Sequence, residues 1–171
     1  TQVSGLVLSG ILLMMITFMI TNFIFSRKLE FLYNATYSLC MFLLIFFNST
    51  VVSTSTVFSN IYYTYIDFFL LVTGTVFYIS FTRMFLDTKN NYLLLDRILK
   101  YSEHFILLLL LVFTFFNFFT ETFLPQHYLE SIVKILFLLI GSAFIFLALK
   151  RKDKLFVYIA AGNGMLVFFS L

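Results

Sequence analysis

The sequence predicts an all-α, polytopic transmembrane helix bundle of six helices with its N-terminus outside, and three observations carry that reading. Apolar residues make up 61% of the 171-residue chain and charged ones 11%, where a soluble domain has about half and about a quarter; mean hydropathy is +1.02. Six stretches approach the roughly 20 apolar residues that a bilayer core requires of a helix. Ten of the 11 Lys and Arg residues fall in three clusters between those stretches. These are Arg27 and Lys28; Arg83, Lys89, Arg97 and Lys100; and Lys150, Arg151, Lys152 and Lys154, with Lys134 alone elsewhere. Length leaves room for a single transmembrane domain, 1–171. A membrane β-barrel would alternate apolar and polar residues in segments of about ten, whereas 105–119 runs almost unbroken in Leu, Phe and Val.

The predicted spans are 3–25, 31–52, 60–85, 102–124, 128–149 and 155–171. The connections after the first, third and fifth hold the basic clusters, while the second, 48–60, is Ser/Thr-rich and uncharged. Basic residues stay on the cytoplasmic side, which places the N-terminus outside. Pro125, the only proline, falls where the fourth helix should stop, since proline cannot continue a helical hydrogen-bond ladder. With no tryptophan present, tyrosines take over the interface belts, Tyr62, Tyr63, Tyr65 and Tyr128 outside and Tyr33, Tyr37, Tyr92 and Tyr101 inside. Asn90-Asn91 signals a turn, and the apolar spacing of Tyr92, Leu95, Ile98 and Leu99 among Asp96, Arg97 and Lys100 predicts a short interfacial helix feeding the fourth span. Thr1 is no translation start and Leu171 closes a minimal span, so chain is expected on both sides.

Several function classes find no support. Cys40 is a lone cysteine, which excludes an intrachain disulfide and a cysteine cluster and reads as a small packing residue. The net charge of +3 follows membrane topology, so no direct nucleic-acid partner is expected. No paired zinc-protease histidines, phosphate-cradling glycine loop or second membrane aspartate is present. The segment is therefore read as non-enzymatic, with no catalytic, cofactor-binding or metal-binding residues. Thr73-Gly74-Thr75-Val76 lies within a continuous span rather than a channel-filter loop, so Gly74 reads as a helix contact.

Three groups remain as candidate sites. Asp67 lies inside the third span and Lys134 inside the fifth, both below the outer surface. An intramembrane charge is costly unless it is paired or faces water, so an Asp67–Lys134 pair would satisfy both, as a latch or as plain structure. Glu121, His127 and Glu130 form a weaker outer cluster whose ordinary reading is a solvated connection. The third group, Arg83, Phe85, Asp87, Asp96 and Arg97, gathers at the inner ends of the third and fourth spans, where a cytoplasmic helix would emerge. His104, beside Glu103, reads as interfacial, and Asn117 as a hydrogen-bonding contact between helices.

The opening helix with Gly5 and Gly10, its exit through Asn22, Phe25, Ser26, Arg27 and Lys28, and re-entry through Phe31, Tyr33, Asn34 and Tyr37 resemble the seven-helix module of bacterial receptors with diverse intracellular signalling modules. The third span's exit, Phe81-Thr82-Arg83-Met84-Phe85-Leu86-Asp87, followed by Leu95-Asp96-Arg97, is similar to that family's aromatic-Arg-x-Phe-Leu junction and the short segment ending in Leu-Asp, which makes Arg83, Phe85, Asp87, Asp96 and Arg97 a candidate transmission junction. Leu155, Phe156, Tyr158, Ala160, Ala161 and Gly162 also fit. The resemblance implies a multi-pass protein of the bacterial cytoplasmic (inner) membrane. There it would couple an extracellular small-molecule or carbohydrate ligand, bound by a preceding domain, to a cytoplasmic output domain such as a histidine kinase or diguanylate cyclase. A seventh helix and both flanking domains are missing from the chain, and a homodimer is one assembly such a module could form. The rival readings are a small transporter or channel, which should show polar residues through the midplane, and a purely structural anchor.

Overall fold

The computed structural model describes residues 2–51 and 65–119 continuously, together with 128, 131–133, 135–136, 139–140 and 142. The described residues form an all-α bundle without a strand: α1 (Gln2–Ser26), α2 (Leu29–Val51), α3 (Asp67–Phe85), the one-turn α4 (Thr88–Asn91) and α5 (Leu93–Phe119). Four of these, all but α4, contain segments long and apolar enough to cross a membrane. The 25 residues of α1 would extend about 37 Å. In a medium without water every backbone group must find its partner inside the protein, and a helix provides that within one segment.

Several polar side chains inside the spans obey the same constraint. In α1, Thr21 donates to the Thr17 carbonyl at 2.8 Å, Asn22 to Phe18 at 2.8 Å and Ser26 to Asn22 at 2.6 Å. In α3, Thr75 and Thr82 donate to Leu71 and Tyr78, each at 2.8 Å. Each side chain folds back one turn onto its own helix, so it needs no partner from lipid.

Packing divides the apolar residues between core and lipid. Phe68, Val72 and Ile79 of α3 meet Leu99, Ile106 and Phe113 of α5 in the main core, which Val133 and Ile140 join. Cys40 of α2 and Leu70 of α3 form a second cluster. Helix α1 contributes little, since Ile16 is buried while Met14 is 75% and Phe25 84% exposed. Such faces would be aggregation surfaces in water; against acyl chains they are already in the right solvent.

Two expectations from the sequence change here. The interfacial helix and the fourth span are one continuous helix, α5, because 93–119 contains neither Pro nor Gly to interrupt it. Tyr33 and Tyr37 of the expected inner belt turn onto α3, with ring centroids 6.0 Å from Phe77 and 5.2 Å from Tyr78. Tyr65, expected in the outer belt, stacks on Phe113 at 5.9 Å and its hydroxyl lies 3.2 Å from that of Thr114. A tyrosine can bury its ring wherever the hydroxyl finds a partner, so the residue type alone does not place it at an interface.

Candidate functional site

The described polar groups concentrate where α3 ends and α5 begins. Residues three apart, such as Ser80 and Arg83, share one face of a helix, as do residues seven apart, such as Asp96 and Glu103. Between the two helices the chain reverses within a few residues. Asp87 adopts the left-handed conformation, φ 44° and ψ 50°, and its carbonyl accepts the Asn90 and Asn91 amides at 3.1 Å each. Its carboxylate holds the Asn90 side-chain amide at 3.0 and 2.9 Å. A left-handed aspartate is uncommon but tolerable, because a short polar side chain hydrogen-bonds locally.

This reversal brings the two faces together around one guanidinium. Arg83 Nε donates to Asp96 Oδ1 at 3.0 Å and Nη2 to Oδ2 at 3.4 Å, a two-pronged contact, while Nη1 donates to Glu103 Oε2 at 2.9 Å. Ser80 donates to Glu103 Oε1 at 3.0 Å, and the buried Thr88 hydroxyl to Asp96 Oδ1 at 2.7 Å. The Arg83 side chain is 25% exposed and its two carboxylate partners 18% and 19%. They are partly desolvated, which makes each bond stronger than its surface counterpart. Three consecutive elements, α3, α4 and α5, are thus tied by the network.

Beside it opens a cavity of about 680 Å³, bounded on the far side by the α1–α2 turn and by Tyr33 of α2. In that turn Arg27 is left-handed, φ 55°, and Lys28 lies 3.9 Å from Glu30.

Of the junction residues proposed from sequence, the structure brings Arg83 and Asp96 into direct contact and sets Asp87 in the adjoining turn. Phe85 is exposed at the end of α3, its ring 5.4 Å from Phe81, and Arg97 points outward, exposed, from α5. Glu103 and the hydroxyls of Ser80 and Thr88 were missed. The signal for Glu103 was its seven-residue spacing from Asp96, hidden by reading a helix break between them. Asp67, half-buried, begins α3 directly after Tyr65 and Ile66, which are already helical. Lys134, Glu121, His127 and Glu130 lie outside the described residues, as do most of the fifth and sixth predicted spans. Among the described residues no group of His, Cys, Asp and Glu is placed to hold a metal ion.

No curated protein and no solved structure matches the chain. The family described as 7TM diverse intracellular signalling matches residues 2–171, nearly the whole length. A match of that extent joins the four membrane-length helices to a known class of multi-pass sensing module, one that is not itself catalytic. The chain belongs to the 7TM diverse intracellular signalling family.

Proposed function

We propose that the module transmits a signal from an extracellular ligand-binding domain to a cytoplasmic output domain, such as a histidine kinase or diguanylate cyclase, in the bacterial inner membrane. The observation that carries this reading is the Arg83 network, which ties the end of α3 to the start of α5. A signalling bundle needs two packings separated by a few kcal/mol. A guanidinium shared between two carboxylates two turns apart is suited to be such an element, since release of either one would free α5 to move against α3. The basic clusters favour a cytoplasmic position for this end, where the output domain would attach. Asp67 and Lys134 are the proposed outer counterpart.

The test is made in the full-length protein, by measuring output against ligand concentration. Arg83→Ala should shift basal output or the midpoint by the equivalent of about 1–3 kcal/mol, the usual scale of coupling between sites. Asp96→Ala should do the same, and the double variant less than the sum. Normal membrane insertion with unchanged dose–response curves would leave the network a structural tie and move transmission elsewhere.

A further inference from the structure

The cavity beside the Arg83 network carries charges of both signs, and their pairing is uneven. Four cations line it, Arg27, Lys28, Arg83 and Lys89, and so do four carboxylates, Glu30, Asp87, Asp96 and Glu103. On one wall, Arg83 serves two carboxylates, Asp96 and Glu103, which leaves one formal negative charge. Lys100, four residues beyond Asp96 on α5, offsets part of it from outside the cavity. Asp87 adds a second negative charge, held by the neutral amide of Asn90. On the opposite wall, Lys28 and Glu30 lie within ion-pair distance, while Arg27 forms no ion pair among the described residues, nor does Lys89 at the α4 turn. The cavity is neutral as a whole and polarised within, so a simple anion would meet as much repulsion as attraction.

Leu29 and Met84, both exposed, are among the lining residues, and Phe25, Leu32 and Phe85 are exposed near the same ends of these membrane-length helices. A charged recess at the ends of helices that carry exposed apolar side chains complements an amphiphile of the surrounding leaflet.

We propose that this cavity binds the headgroup of a phosphoethanolamine-type phospholipid. Its phosphate would be held by Arg27 and Lys89, and its ammonium, with three donors, by Asp87 and the excess carboxylate charge around Glu103. The same headgroup chemistry exists in water-soluble form, and the exposed Leu29 and Met84 in the lining, at the ends of membrane-length helices, favour the lipid. The proposal does not rest on the signalling reading, and its failure would leave that reading intact.

The purified chain in detergent is titrated with dioleoyl phosphatidylethanolamine, phosphatidylcholine and phosphatidylglycerol, and bound lipid is counted by native mass spectrometry. Phosphatidylethanolamine should be held about tenfold more tightly than either of the others, the equivalent of one charge-assisted hydrogen-bond set. Phosphatidylcholine keeps the phosphate but lacks N–H donors, and phosphatidylglycerol lacks the cation. Arg27→Asn should weaken all three lipids, whereas Asp87→Asn should abolish only the preference for phosphatidylethanolamine. Both substitutions place asparagine where the backbone is left-handed, which it tolerates, so the turns should be preserved. Equal retention of the three lipids, or a preference for phosphatidylglycerol, would overturn the proposal. Glycerophosphoethanolamine that competes as well as the lipid binds would overturn the lipid assignment.

Discussion

At the scale of single residues, the bundle depends on side chains that are small as much as on those that are charged. A Cβ built on Gly74 would lie 3.2 Å from Cys40 Cβ, with Met41 Cε and Tyr37 Cδ2 at 3.9 Å, so α2 and α3 approach closely there. A Cβ on Gly10 would meet nothing within 4 Å. Gly74→Ala should therefore destabilise the protein by about 1–3 kcal/mol through overpacking, while Gly10→Ala should be neutral or slightly stabilising through helix propensity. Thermal unfolding of the detergent-solubilised variants measures both, and equal melting temperatures would show that the α2–α3 contact yields without cost. Ser38 lies in the same helix as Cys40, fully buried, its hydroxyl without a hydrogen-bond partner among the described residues.

At the scale of elements, the connection from α3 to α5 fixes which carboxylates reach Arg83. The reversal turns on Asp87 in the left-handed conformation, with α4 held between Asp87 and Tyr92 by backbone bonds of 2.8 to 3.1 Å. Asp87→Asn should leave folding stability within about 0.5 kcal/mol, since asparagine adopts this conformation readily. Asp87→Val should cost roughly 1–3 kcal/mol, because a branched Cβ is strained there. Melting temperatures compare the two directly; a valine variant as stable as the parent would mean that the turn can adopt another path. Unbroken α5 is the second half of the device. Asp96 and Glu103 share a face only if the helix runs through Lys100 and Tyr101 without a kink, as it does. Reading these residues as a separate interfacial helix lost that phase, and with it Glu103. Arg83 and Asp96 could be singled out because they belong to the segments that resemble the family's junction and lie among charges beside apolar spans. Glu103, Ser80 and Thr88 could not, since each is an ordinary residue until a specific helix rotation faces it toward Arg83.

At the scale of the whole molecule, the clustering of ten basic residues makes a prediction about sidedness. Single cysteines at Ser53 and Gln126 should be labelled by an impermeant thiol reagent on intact cells, and ones at Lys89 and Lys152 should not; the reverse pattern would invert the proposed topology. What the sequence by itself determined was the solvent and the secondary structure. An apolar chain with few charges has to satisfy its backbone internally, and long runs of Leu, Phe and Ile can do so only as helices. That logic is local, and it was legible without any knowledge of neighbours. Which helix faces meet was decided by the tertiary structure. Lipid is as apolar as a facing helix, so hydrophobicity does not say whether a given phenylalanine or tyrosine points to a neighbour or to the bilayer. The answer came from shape and from a few polar contacts: the close approach at Gly74 and Cys40, the turn of Tyr37 onto Tyr78, and the reversal at Asp87 that delivers Asp96 and Glu103 to one guanidinium. These depend on the relative rotation and depth of helices far apart in sequence, which composition and periodicity leave open.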